Sequence, residues 1–306
     1  MKNTRILAAL LLAASPLSAL AEGTVPMPPA VSTQAPAAQA VTLRMKFTVG
    51  QIHRYKMNMA MKSMMTSQSG TRVPMNMLMN MVMRQTVKDV RPADGAATVV
   101  SQIESMQMSM NGKEMPMPAD QQAKMKLPTT VVMLPTGKIL SFDSSAIPAG
   151  GLPGFDMSSM MKSSSSAFPD LPVKIGDVWN GATTTGTKGM NILMTSTLAG
   201  LDSVEGSDRA TINQKLDGDI NMNVSKGMPV AMKMAGKITG TGTQVFDVTA
   251  GALASQNMET NMGFKMTFTP PAGTAAPAGL PPAMNMTMKQ ILVMTRLPDE
   301  DPMPRP

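Results

Sequence analysis

From Val41 to Met61 the odd positions read Val, Leu, Met, Phe, Val, Gln, His, Tyr, Met, Met and Met, while the even positions are mostly Thr, Arg, Lys, Gly and Asn. Alternation with a period of two puts every second side chain on one face of an extended strand, whereas a helix would need apolar residues three and four apart. The pattern returns at Met75 to Met83, at Met106 to Met110, and from Ala210 to Val224. It continues through Met228 to Ile238, Met258 to Phe268 and Met284 to Met294. Between these runs stand turn dipeptides: Ser69-Gly70, Asp94-Gly95, Asn111-Gly112, Thr136-Gly137, Glu205-Gly206, Lys226-Gly227 and Ala250-Gly251. Strands joined by such short connections pair antiparallel. The sequence therefore predicts an all-β fold of about a dozen strands. A minor helix is predicted in the central connection near Phe155 to Ser165, and a single helical turn near Ala119 to Lys126.

An internal duplication is legible. Val49-Gly50-Gln51-Ile52-His53 corresponds to Ile175-Gly176-Asp177-Val178-Trp179. Asp94-Gly95 before Ala97-Thr98-Val99 corresponds to Glu205-Gly206 before Ala210-Thr211-Ile212, and Gly137 before Phe142-Asp143 to Gly242 before Phe246-Asp247. The order is kept. The expected architecture is two duplicated units of twisted antiparallel sheet, 41–145 and 171–297, forming half-barrels or one curved sheet. The Pro/Gly/Ser-rich stretch 146–170 connects them, 270–283 is a loop, and 22–40 and 298–306 are linker and tail.

The lead-in Leu171-Pro172-Val173-Lys174-Ile175-Gly176-Asp177-Val178-Trp179 resembles that of an uncharacterised family of exported bacterial β-proteins. The resemblance implies export and β architecture, and it implies no activity.

Residues 1–21 read as a secretory signal peptide. Lys2 and Arg5 form its charged start, Ile6 to Ala14 its apolar run, and Ala19-Leu20-Ala21 a cleavage site, so cleavage is expected after Ala21. The apolar run is about half of the roughly 20 residues a membrane span needs, and no later stretch reaches that length. A periplasmic or secreted protein without a transmembrane segment is expected. With 0 Cys in the chain, its stability rests on burial alone.

Composition narrows the function. One His, one Trp, one Tyr and seven Phe leave little for a zinc site, a His-centred catalytic site or a base-stacking groove, so neither enzyme activity nor nucleic-acid binding is expected. The nine aromatic residues are also too few for the girdles of an outer-membrane barrel. Ser159-Met160-Met161-Lys162 matches a Ser-x-x-Lys nucleophile motif, but its companion motifs are missing. Asp217-Gly218-Asp219 lacks the following oxygen ligands of a calcium loop.

Methionine is the abundant type, at 37 residues, and it occupies the phase of Val, Ile, Leu and Phe. Flexible thioethers fill an apolar face and adapt to variable apolar ligands. The expected ligand face carries Met57, Met59, Met77, Met79, Met81, Met232, Met234, Met262 and Met286, and would take a lipid or another apolar molecule without a cofactor. The alternative is copper(I) handling, since Met-x-Met on a strand sets two thioethers about 6.6 Å apart. His53 with Met57 and Met59 is the candidate metal set, although the alignment of His53 with Trp179 favours an aromatic packing slot. A sacrificial oxidant-scavenging role belongs with this alternative. Arg44, Lys46, Arg54, Lys56 and Lys62 share the even phase and read as a solvated stripe or as contact with an anionic envelope surface.

Overall fold

A computed structural model describes residues 40–116, 118–143, 168–184, 189–224, 230–270 and 281–298. The expected signal peptide, the Phe155–Ser165 helix, the Ser159–Lys162 motif and the tail from residue 299 lie outside the described residues. The strands are β1 (Ile52–Ser67), β2 (Arg72–Val90), β3 (Ala97–Met110), β4 (Lys113–Glu114), β5 (Thr129–Met133), β6 (Ile139–Asp143), β7 (Val178–Thr184), β8 (Met190–Val204), β9 (Ser207–Val224), β10 (Ala231–Asp247), β11 (Ala252–Thr269) and β12 (Ala283–Arg296). A short helix, α1 (Ala119–Met125), connects β4 to β5. The sheet order is β6-β5-β3-β2-β1-β12-β11-β10-β9-β8-β7, with β4 on β3, and every pairing is antiparallel. The sheet is open: among the described residues its edge strands, β6 and β7, pair with no further strand, so the chain does not close into a barrel.

Two of the tight turns take the hairpin geometry that matches strand twist. Asn111-Gly112 has φ of 51° and 78°, and Glu205-Gly206 has φ of 54° and 79°, as a turn with two left-handed central residues requires. The two halves that the sequence suggests are not separate bodies. The strand that opens the first, β1, pairs with β12, which ends the second, from Tyr55↔Arg296 to Ser67↔Met284.

Register puts the methionines on one face. Met57, Met59 and Met61 of β1 stand opposite Met81, Met79 and Met77 of β2, and these stand opposite Met106, Met108 and Met110 of β3. On the other side Met284, Met266, Met234 and Met222 follow one another across β12, β11, β10 and β9. The outer face carries Lys56, Lys62, Asn80, Lys237, Asn261 and Lys265, with exposed Leu78 among them.

The inner face is tightly packed where β9 and β10 run. Gly218, Gly236, Gly240 and Gly242 lie on it, and a Cβ at any of them would overlap the neighbouring strand, at Gly242 reaching Asn257 O at 2.5 Å. Ile220, Met222, Met232, Met234, Ile238 and Met266 bury one another there. Glycine inside a strand marks a place where another backbone approaches closely.

One end of this face is closed. Residues 40–50 cross the ends of the strands as a strap, with Val41 and Val173 exchanging backbone hydrogen bonds of 2.8 and 2.9 Å, Met45 N donating to Pro135 O (2.7 Å) and Lys46 N to Gly251 O (2.9 Å). Beneath the strap lie two cores: Leu43, Phe168, Val173, Leu198, Ala210, Ile212 and Phe246, and Val87, Ala97 and Val99 with Phe47 and Met133 against them. Residues 41–51 alternate like a strand yet stand outside the sheet, because Gly50, at φ 85°, turns the chain before β1 begins. The basic stripe is divided for the same reason, with Arg44 and Lys46 on the strap and Arg54, Lys56 and Lys62 in β1. Arg44 donates to the carbonyls of Pro169 (2.6 Å) and Asp170 (2.7 Å), Lys46 to that of Thr249 (2.8 Å), and Arg54 pairs with Glu104 at 2.8 Å. Lys56 and Lys62 remain exposed on the outer face.

The two lead-ins fold alike. Gly50 N donates to Val87 O and Val87 N to Gln51 O; Gly176 N donates to Leu198 O and Leu198 N to Asp177 O. Thr48 N donates to Gln51 Oε1, and Lys174 N to Asp177 Oδ2. Register shifts follow at Val87/Asp89 and at Leu198/Gly200. The third sequence correspondence has no such counterpart: Gly137 sits in the β5–β6 turn at φ 84°, whereas Gly242 is inside β10, opposite Met258 and Gln214.

Candidate functional site

The inner face of β2, β3, β5 and β6, with α1 and the residues after it at the rim, lines a half-open cavity of about 520 Å³. Its walls come from strand positions of the apolar phase: Met83 opposite Ile103, Val131 opposite Phe142, and Met133 opposite Ile139. Met57 and Met81 close the side toward the centre of the sheet, and Met125 of α1 and Leu127 form the rim. Leu127 is 49% exposed although apolar. The helix is seven residues long and has no side-chain cap, so its position rests on packing rather than on its own stability.

One polar row crosses these walls. Gln85 is opposite Ser101, which is opposite Thr129, and His53 continues the row on β1. It separates the floor residues Val87, Val99 and Val131 from the methionines beyond. Gln85, Met83 and Met133 also line a second depression, about 220 Å³, with His53, Tyr55, Met45 and Phe47. An apolar cavity with a few convergent hydrogen-bonding groups is the usual form of a small-molecule site, for which volumes run from about 300 to 1,000 Å³. The opposite half of the sheet has a comparable polar row that is filled. Gln214 donates to Gln244 (3.1 Å) and Gln256 to Gln214 (3.3 Å), with both Gln214 and Gln244 buried.

All nine methionines expected on a ligand face share the inner face, in different settings. Met57 and Met81 line the cavity. Met59, Met77 and Met79 lie farther along the same strands, half-buried. Met232 and Met234 are 6% and 9% exposed inside the core of the β9–β11 half, with Met262 and Met286 packed against it. His53 is not grouped with Met57 and Met59: it stands two rungs below Met57, its ring 6.3 Å from that of Tyr55 in an edge-to-face contact. Among the described residues no three His, Asp or Glu side chains gather as a metal site, Asp217 and Asp219 included. No helix among them is long and apolar enough to cross a membrane.

Sequence reasoning missed Gln85, Ser101, Ile103, Met125, Leu127, Thr129 and Phe142. Gln85 and Ser101 were visible as polar residues in the inward phase of otherwise apolar strands. Joining them to Thr129 and Phe142 needs the β3–β5–β6 pairing, which local periodicity does not contain.

Residues 155–251 match the model of a family of unknown function (DUF6263), a span that contains the Leu171–Trp179 lead-in. No curated protein matches the chain. Among solved structures the fold is similar to part of lipovitellin, in a structure of lipid-protein interactions, with a TM-score of 0.50 and 8% identity over 85% of this chain and 26% of that one. This chain thus spans about a quarter of lipovitellin. Alignments also extend to Salmonella typhi OmpF in complex with daunomycin (TM-score 0.23, 6% identity, 81% of this chain and 98% of that one). Another reaches the LolA superfamily protein NE2245 from Nitrosomonas europaea (TM-score 0.16, 8% identity, 84% and 90%). Both scores are too low to define a shared fold.

Proposed function

We propose that this protein is a non-enzymatic, exported carrier or sensor of an apolar small molecule, with a lipid acyl chain as the best-fitting class. The observation that carries the reading is the cavity of about 520 Å³ on the inner face, apolar along most of its walls and polar along the row Gln85–Ser101–Thr129 and at Gln102. Each methylene taken from water into such a site contributes about 0.8 kcal/mol, and the polar row offers hydrogen bonds to a carboxyl or ester end. The signal-like residues 1–21 support an envelope or secreted location. Lipovitellin, whose fold this sheet shares in part, is itself a protein of lipid-protein interactions.

The test uses delipidated protein and a dansyl-labelled fatty acid. Saturable emission enhancement is expected, and Ile103→Trp, which fills the cavity, should lower affinity at least tenfold. Leu127→Asp, at the exposed rim, should weaken binding while leaving the far-UV spectrum unchanged. Absence of saturable binding by the wild-type protein would overturn the reading.

A further inference from the structure

We propose that the first three strands carry a second site, adjoining the apolar cavity at Met57 and Met81: a thioether grid for soft monovalent metal ions such as Cu(I). Three successive rungs of the inner face are methionine on all three strands: Met106–Met81–Met57, Met108–Met79–Met59 and Met110–Met77–Met61. Residues directly opposite in an antiparallel pair have Cβ atoms about 4.5–5.5 Å apart. Flexible thioether side chains from three neighbouring strands can therefore bring three sulfurs to one ion, and Cu(I) selects soft sulfur ligands.

The grid is not a packed core. Where methionine does fill a core on this face, at Met222, Met232, Met234 and Met266, the side chains are buried, and the two floor clusters bury Leu, Val, Ile, Ala and Phe instead. Methionine is no better suited to a strand than Val or Ile, which pack well on a pleated surface. The grid side chains on β1 and β2 are half-buried, so the sulfurs are within reach of solutes. Gln290 Nε2 donates to Met59 Sδ at 3.1 Å, which shows the sulfur of the middle rung turned toward a polar neighbour. The sites differ from the expected set around His53, which stands outside the rungs.

A thioether has no proton to lose in the physiological range. Binding here therefore releases no proton, and affinity should be flat from about pH 8 to pH 5, whereas an imidazole ligand weakens below its pKa of about 6.5.

The experiment is anaerobic titration of the mature protein with Cu(I) against bathocuproine disulfonate, repeated with Ag(I) as a redox-inert analogue and with Zn(II). The proposal expects one to three equivalents of Cu(I) and Ag(I), none of Zn(II), no change between pH 8 and 5, and no effect of His53→Gln. Replacing Met59, Met79, Met108, Met61, Met77 and Met110 by Leu spares Met57 and Met81 of the apolar cavity and should abolish most of the binding. The triple variant of Met59, Met79 and Met108 alone should lower the stoichiometry, which keeps the test valid if the sixfold variant does not fold. Absence of competitive binding by the wild type, an undiminished stoichiometry after the Leu substitutions in folded protein, or binding lost with His53 would each overturn it.

Discussion

Asp247 ends β10 with its side chain 5% exposed. Burial by itself would raise its carboxyl, but hydrogen bonds from Ser207 Oγ (2.7 Å), Ala250 N (2.8 Å) and Arg296 (3.0 Å) outweigh it and hold the group below the usual carboxylate range. These donors belong to the start of β9, the β10–β11 turn and the last residue of β12, so one carboxylate fastens three strand ends beneath the strap. A lowered folded-state pKa means stability that is fully present above the unfolded value of about 3.9 and lost as pH falls through the folded one. Asp247→Asn should lower stability by about 1.5–3 kcal/mol at pH 7, the range for hydrogen bonds to charged groups. The gap from wild type should narrow below about pH 4, as the native carboxylate takes up its proton. Urea midpoints of both proteins at pH 7 and pH 3 check this, and an equal gap at the two pH values would contradict it. This role was not legible in the sequence, where Asp247 is a lone acid after a strand whose partners are 40 and 49 residues away.

At the scale of elements, the duplicated lead-ins allow a paired prediction. Gly50 and Gly176 have φ of 85° and 94°, and open space surrounds the position of an added Cβ at each. The cost of Gly→Ala there is backbone conformation alone, about 1–2 kcal/mol. Gly50→Ala and Gly176→Ala should therefore shift the urea midpoint by nearly the same amount with unchanged slope, and Asn at either position should be milder, since it tolerates this region. Clearly unequal shifts would mean that the shared hydrogen bonds do not carry shared energetics. Most of the long strands, α1 and these two glycines could be read locally, because alternation and turn chemistry are local, whereas β5 to β8 stand outside the alternating runs. The strap could not, since residues 41–51 alternate as a strand does and only the Gly50 turn sets them apart. Nor could the union of the halves: β1 and β12 begin 231 residues apart, and nothing in a period of two names a partner.

Across the whole sheet, packing density divides one methionine face into two environments. On β9 and β10 four inner glycines meet neighbouring backbone closely, and Met222, Met232, Met234 and Met266 are buried. On β1 and β2 no inner glycine intervenes, the methionines stay half-buried, and the cavity opens beside them on β3, β5 and β6. Oxidation can read this division, since peroxide converts an accessible thioether to a polar sulfoxide that a packed core rejects. Under mild peroxide, peptide mapping of the native protein should show Met115, which is 43% exposed, reacting first. Met57, Met79 and Met81 should follow, while Met222, Met232, Met234 and Met266 resist until urea unfolds the sheet. Adding a fatty acid should slow Met57 and Met81, which line the cavity, and leave Met115 unchanged, because only burial under a ligand distinguishes them. Simultaneous oxidation of both halves would show that the β9–β11 core does not exclude solvent. Protection equal at Met115 and Met81 would place the fatty acid outside the cavity.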